Sequence, residues 1–369
     1  RDNPGARLVA TGCYAELAPG ELEGSPGVER VVGNAGKEGL AALLGQAQAV
    51  PPPTPAAVPR TRALVKIQDG CDNACTYCII HVARGPQRSR PPDEVLAEVR
   101  ARLAAGHQEI VLTGVHVGAY GRDRHPPGKP TIDLWGLVRR ILDETDVPRL
   151  RLSSIEPWDL APGGEANEVL ALWQDPRLCR HLHLPLQSGD DRTLARMSRH
   201  YTTAEFAALV GAARAAIPDL AVTSDVIAGF PGETEADFER SLAFLRDMAL
   251  ARVHVFPYSP RPGTPAAGMP DQVPPQVRAG RARRLREAAA EGGRAFRRRF
   301  VGRRVEVLWE SSRPGEGAPL WNGLTDHYLR VEAAGSADQN LRNTFGPVRI
   351  EGLSRGGLRG VMEDQKSGG

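Results

Sequence analysis

The chain has no apolar run long enough to cross a membrane and shows no signal peptide. Cysteine is scarce: there are five in 369 residues, and three of them, Cys71, Cys75 and Cys78, stand close together. That distribution makes no disulfide framework and predicts a reducing, cytoplasmic setting. Acid is missing from one stretch. Between Arg278 and Arg304 eleven arginines face two acidic residues, Glu287 and Glu291, although the whole chain carries only +3. Most charge runs are solvated helix faces, but one with so little balancing acid also fits phosphate binding. What is present is an ordinary apolar content of 41%, enough to bury a core in two or three domains.

Residues 1–49 read as the back half of a small α/β domain, with strands at 8–11 and 28–32 and helical apolar spacing over 37–48. Because the first residues already read as a strand in mid-domain, a natural N-terminus upstream of Arg1 is expected. The run Val50-Pro51-Pro52-Pro53-Thr54-Pro55 cannot continue a helix, so 50–61 reads as a stiff linker. Over 62–296 strand-like and helix-like runs alternate. Strands are expected at 64–68, 109–113, 150–154, 181–186, 221–228 and 252–257, and helices at 94–105, 134–143, 193–197, 204–216 and 236–248. Repeated βα units imply a parallel sheet under helices, and six of them fit a partial (βα)6 TIM-like barrel, with a flat doubly wound sheet as the alternative. A basic helix follows over 274–299, which Gly292-Gly293 is expected to break or end. Residues 297–362 carry short strands at 305–309, 323–326, 328–332 and 347–353 between Gly, Pro, Ser and Asn turns, the pattern of a small β-barrel. Its Trp309, Trp321 and Tyr328 suit either base stacking or a barrel core, and 363–369 reads as a disordered tail.

The three cysteines follow the first strand of the βα series, at the end where such folds place their chemistry. Four cysteines normally hold a [4Fe–4S] cluster or a zinc ion. Three with no fourth nearby leave one coordination position open for something other than protein. A zinc knuckle, or thiols that ligate nothing, are the alternatives at this point. Cys179, ahead of a barrel strand, reads as a packed thiol. His81 reads as a loop surface residue.

Cys71-Asp72-Asn73-Ala74-Cys75-Thr76-Tyr77-Cys78 resembles the radical S-adenosylmethionine (SAM) motif. The order of an N-terminal Thr11-Gly12-Cys13-Tyr14-Ala15-Glu16, a proline linker, a barrel and a small β-barrel resembles the methylthiotransferases over essentially the whole chain. So do Leu184-Pro185-Leu186-Gln187-Ser188-Gly189 and the run from Asp225 to Thr234. The stretches 112–121 and 154–159 resemble most the branch acting on threonylcarbamoyladenosine beside the tRNA anticodon. The resemblance implies a cluster on Cys71, Cys75 and Cys78, SAM on its open iron, and a C-terminal RNA-binding barrel of TRAM type. It implies a second, auxiliary cluster, of whose three cysteine ligands Cys13 matches the last and the other two are expected upstream of Arg1; one cluster is complete here, and the chain from Arg1 on is expected to cleave SAM without transferring the methylthio group. It also implies an electron donor and a sulfur source from outside the chain, and tRNA as partner. A radical is needed because carbon 2 of the adenine offers neither an acidic proton nor a leaving group. Expected SAM-side residues are Tyr77, Thr113, Gly114, Ser154, Glu156, Gln187, Arg199, Ser224, Asp225, Ile227 and Gly229. Expected RNA contacts are Arg84, Arg88, Arg90, Arg297, Arg298 and Arg299. A ribosomal-protein aspartate methylthiotransferase, or a non-catalytic RNA-binding protein with a structural metal at the cysteines, are the alternatives.

Overall fold

The computed structural model describes residues 3, 5–45, 60–124, 131–160, 166–315, 317–336 and 338–363. The expected linker and tail fall almost entirely outside these. The N-terminal part pairs β1 (Leu8–Thr11) with β2 (Val28–Val32) in parallel, flanked by α1 (Cys13–Leu17) and α2 (Pro19–Glu23). Of the helix expected over 37–48, the described residues form a 3-10 turn followed by the single turn α3 (Leu40–Leu43), and 46–48 lie outside the described residues. Gly36 and Gly39 flank Lys37 there, and glycine gives a helix little reason to propagate.

The alternating stretch folds as read. In order come β3 (Arg62–Lys66), β4 (Gln68–Asp69), α4 (Ile80–Arg84), β5 (Arg88–Ser89), α5 (Pro92–Ala104), β6 (Glu109–Thr113), α6 (Leu134–Glu144), β7 (Leu150–Leu152) and α7 (Ala166–Leu170). Then follow β8 (His181–His183), α8 (Asp191–Arg196), α9 (Thr203–Ala216), β9 (Ala221–Ala228), α10 (Glu235–Met248) and β10 (Arg252–Pro257). β3, β6 and β7 pair in parallel, as do β8, β9 and β10. Parallel bridges Leu150↔Leu178 and Ser154↔His183 join the two sets. The result is one six-strand arc with β3 and β10 as its edges, a partial barrel and not a flat doubly wound sheet. Its core is continuous, from Val65 and Ile67 through Leu112, Leu152, Leu182 and Val222 to Phe238 on α10. Helix starts are set by side chains: Thr202 with Glu205, and Thr234 with Asp237, form reciprocal capping boxes, and Asp133 caps α6. No helix among the described residues is long and apolar enough to cross a membrane.

The basic helix α11 (Pro275–Arg298) runs unbroken through Gly292-Gly293, contrary to the expected break. These glycines are there for packing. A Cβ on Gly293 would lie 3.0 Å from the Ala251 carbonyl, and one on Gly292 3.3 Å from that of Leu250, so side chains would push α11 off the entry to β10. The C-terminal part is a closed barrel of five strands in the order β11-β12-β13-β15-β14: β11 (Arg304–Arg313), β12 (Leu320–Leu324), β13 (Arg330–Ala334), β14 (Phe345–Ser354) and β15 (Gly357–Met362). The sequence pattern missed β15 because glycine is poor in strands. Here Gly357 and Gly360 let neighbouring backbones close in, each needing to clear a carbonyl at 2.5–2.6 Å from a built Cβ. Trp309 and Trp321 fill this barrel at 1% and 4% exposure, so neither can stack on a base. Tyr328 sits instead in a left-handed turn (φ 63°) ahead of β13, against His181 and the Arg151 guanidinium.

Candidate active site

β3 delivers the chain to the barrel mouth, and Gly70 turns it into the cysteine loop. Gly70 has φ +73° and a Cβ there would meet the Pro86 carbonyl at 2.0 Å, so only glycine fits. Gln68, fully buried, fixes this turn. Its amide nitrogen donates to the Asp69 and Gly70 carbonyls, and its oxygen accepts from the Val115 and His116 amides at 3.1 and 2.8 Å. The far side of the loop is tied across the mouth. Thr76 N donates to Met197 O at 3.2 Å, Thr76 Oγ1 donates to Arg196 O at 2.9 Å, and Ala266 N donates to Thr76 O at 2.9 Å. Tyr77, half-buried, packs against the cluster of Met197, Phe230 and Tyr258.

Each of the three sulfurs faces a nitrogen. The Ile80 amide donates to Cys78 Sγ at 3.4 Å, Arg199 Nη1 donates to Cys75 Sγ at 3.4 Å, and His116 Nδ1 lies 4.0 Å from Cys71 Sγ. His116 is oriented from behind by Asp159 (Nε2 to Oδ2 2.6 Å), which also accepts from Arg122 at 2.6 Å. Burial opposes charge on His116, but the Asp159 carboxylate and the Cys71 sulfur outweigh it and lift the ring to about 9. Arg199 is the most enclosed cation here. It forms a two-pronged pair with Glu156 and lies over Trp158 and Tyr201 at 4.9 and 5.3 Å. Burial works against its charge, and Glu156 more than restores it.

This donor set suits an iron–sulfur cluster. A thiolate-bound cluster is electron-rich and is stabilised by N–H donors aimed at its sulfurs. Among the described residues no three Cys, His, Asp or Glu come together tightly enough to hold one ion. Zinc requires all its ligands on one atom, whereas a cluster presents a separate iron to each cysteine.

Other expected site residues divide. Thr113 and Ser154 stand at strand ends at the mouth, and Ser154 bridges to His183. Asp225 lies between His183 and His254 (3.3 and 3.1 Å), and the two imidazoles hold its carboxyl below the usual range against the effect of burial. Gln187 takes a left-handed turn, its amide donating to Asp225 O and its carbonyl accepting from Ile227 N. Ile227 packs beside Tyr77, Phe230 and Tyr258. Ser224 does not reach the mouth. It is fully buried, accepting from Leu186 N at 2.9 Å and donating to Leu184 O at 2.7 Å. Gly114 and Gly229 are explained by close packing: a Cβ would meet Gln68 O at 2.8 Å and the Arg278 side chain at 2.3 Å respectively.

Among the basic residues, Arg84 pairs with Asp69, Arg90 with Glu98 and Arg299 with Asp219, so their charge is largely answered. Arg88 and Arg298 are exposed, and Arg297 is half-buried. Cys13 begins α1, which packs against α4 just beyond the cysteine loop. His81 lies on α4, half-buried. Gln68 and the His116–Asp159 pair were not among the expected site residues, although a polar residue closing an apolar strand already marks Gln68 as facing the mouth.

Cys179 is 1% exposed, and burial pushes its thiol up to about 12. The thiolate is the reactive form. Iodoacetamide at roughly pH 8 is therefore expected to leave Cys179 unmodified in the folded chain while labelling Cys13. Peptide mapping by mass spectrometry reads this directly, and equal labelling of the two would contradict the packed assignment.

The sequence matches the family described as the Radical SAM superfamily over residues 65–245. It is 38% identical over 361 residues to the threonylcarbamoyladenosine tRNA methylthiotransferase MtaB of Bacillus subtilis, covering 92% of this chain and 77% of that one. It is 36% identical over 382 residues to the protein of the same name from Thermotoga maritima, covering 99% and 83%. A tRNA-2-methylthio-N(6)-dimethylallyladenosine synthase from Maricaulis maris is 38% identical over 309 residues, covering 82% and 65%.

Proposed function

Since this chain belongs to the radical SAM methylthiotransferases, we propose that it adds a methylthio group at carbon 2 of N6-threonylcarbamoyladenosine in tRNA. The observation that carries this is the mouth itself: three cysteines on a loop pinned at both ends, each sulfur faced by a nitrogen, in a chain similar to MtaB proteins almost throughout. The names of these relatives favour tRNA over the ribosomal-protein alternative.

Cys71, Cys75 and Cys78 would hold the [4Fe–4S] cluster, with SAM beside it. When bound, cluster and SAM together supply a carbon-centred radical that can attack an unactivated C–H bond. The chain supplies the placement. Gly70, Gln68 and Thr76 fix the loop between β3 and α8. Arg199, locked by Glu156 and Trp158, sets a fixed positive charge against Cys75, and Asp159 holds the His116 ring toward Cys71. Tyr77, Thr113, Ser154, Gln187, Asp225 and Ile227 line or support the same mouth. Domains are read as 1–49, 62–296 and 297–362, with the electron and the sulfur coming from outside.

The test is nucleoside mass spectrometry on threonylcarbamoyladenosine-containing tRNA incubated with the iron-loaded protein that includes the expected upstream segment with the remaining auxiliary-cluster cysteines, together with SAM, a reductant and sulfide. The methylthiolated nucleoside is expected; methylthiolation of dimethylallyladenosine instead would overturn the branch. A Gly70→Ala chain is expected to take up less than half the iron of the wild type, because its Cβ collides with Pro86 and the loop must move. Iron analysis reads this without turnover, and full iron content would show that the loop tolerates the shift.

A further inference from the structure

At the other end of the barrel from the cysteine loop lies a cavity of about 550 Å³. Its walls come from the N-terminal ends of β3, β9 and β10, from α11, and from the turns of the C-terminal barrel. Six of its lining residues are arginine: Arg62, Arg252, Arg286, Arg297, Arg330 and Arg355. None is Asp or Glu.

Many arginines elsewhere in the chain are answered by acids. On α11 itself Arg281 meets Glu233 and Glu235, and Arg284 meets Glu239. The arginines of the cavity are treated differently. Only Arg62 has a carboxylate, Glu310 at 2.9 Å. Arg286 donates to the Val255 carbonyl, and Arg252, Arg297, Arg330 and Arg355 have no carboxylate partner among the described residues. The Arg297 Nε is buried with no acceptor. The nearby acid Asp326 is taken by Arg180 at 2.6 Å. Like charges gathered in a concavity repel one another, and the field they focus is an attraction for anions. Guanidinium forks match phosphate oxygens in pairs, which ammonium groups do not. The positive surface also continues past the rim, through the exposed Arg294 and Arg298 of α11, farther than a single small anion would need.

From this arrangement we infer that the cavity seats backbone phosphates of the substrate RNA, giving the RNA a second point of attachment remote from the modified base. The inference rests on the reading of the chain as a tRNA-modifying enzyme. β10 leads from Arg252 at the cavity toward the mouth over six residues, which places the two ends about 17 Å apart along the strand. An RNA held at both is fixed in register as well as bound.

The test uses the full chain and fluorescently labelled tRNA, with affinity measured by anisotropy across a salt series. Each phosphate neutralised contributes about −0.7 to −0.9 to the slope of log K against log salt. The triple variant Arg252→Ala/Arg330→Ala/Arg355→Ala is expected to bind at least tenfold more weakly and to lose about two phosphates' worth of slope. Its melting temperature and SAM cleavage should match wild type, since no ion pair is broken. Should the triple fold poorly, the single Arg355→Glu, on an exposed turn, must move affinity and slope the same way. An unchanged slope overturns the inference while leaving the tRNA reading intact. A wild-type chain with no salt-dependent tRNA binding overturns both. Binding of inorganic tripolyphosphate that the triple variant loses, with its tRNA slope unchanged, would assign the cavity to free polyphosphate and also overturn it.

Discussion

Replacing Cys75 with serine is expected to remove reductive SAM cleavage entirely and to bleach the iron–sulfur absorbance. Of the three cysteines it is the buried one, at 7% exposure, and the one that receives the Arg199 N–H. A serine hydroxyl is a poor ligand for iron and leaves the guanidinium facing a neutral oxygen in place of a thiolate sulfur. The comparison that separates ligand from support is Arg199→Met. There the cluster should assemble, but with the affinity or activity loss of about 10- to 100-fold typical of groups that hold a ligand from behind. Its electron paramagnetic resonance spectrum or midpoint potential should shift from the wild type, which a merely structural role would not require. Iron content and 5′-deoxyadenosine yield check both variants. A brown, SAM-cleaving Cys75→Ser chain would remove Cys75 from the ligand set.

The second large effect is on stability and lies at the base of the barrel. Glu109, with no exposed surface, accepts from Arg151 Nε and Nη2 at 2.8 and 3.1 Å, and Arg149 stands 3.7 Å away. Both arginines continue outward to the C-terminal barrel. Arg151 donates to the carbonyls of Thr325 and Asp326, and Arg149 to that of Leu324. Removing one member of a buried charged set strands the others and costs about 3–5 kcal/mol. Glu109→Ala should therefore lose a large part of the margin a domain normally has, about 5–15 kcal/mol. Glu109→Gln, which keeps an acceptor but loses the charge, should fall between. Urea denaturation followed by fluorescence measures the loss, and limited proteolysis shows whether the C-terminal barrel comes free. A change within about 0.5 kcal/mol, the range of ordinary surface substitutions, would show that the pairing is dispensable.

The same pair has a pH signature. Burial raises the Glu109 carboxyl, but Arg151 and Arg149 outweigh it and hold it below its ordinary value. A carboxyl lowered on folding stabilises above its unfolded pKa, and that contribution disappears as pH falls through the folded one. Wild-type stability should thus fall in acid by more than that of Glu109→Gln, whose amide does not titrate.

Six strands were legible because their apolar runs are bounded by polar residues at the same end, and three match their expected bounds residue for residue. The basic helix was legible, but not its continuity through Gly292-Gly293, since what those glycines clear is a strand entry far from them in sequence contact. β15 was hidden for the same kind of reason. Glycine reads locally as a break, while in a five-strand barrel it is what lets backbones meet.

By itself the sequence determined the family resemblance, because the cysteine motif and the stretches that accompany it are local features that need no fold to be compared. It also determined the six-fold βα alternation, which follows from apolar periodicity. Only the tertiary structure decided what faces each sulfur, since Ile80, Arg199 and His116 come from three different places in the chain. It alone turned Ser224 inward and paired Arg199 with Glu156. It alone gathered arginines from β3, β10, α11 and the C-terminal barrel around one acid-free cavity. Spacing along a chain specifies ligands that are neighbours; the charges and hydrogen bonds that tune them act through space, and space is fixed only when the strands close.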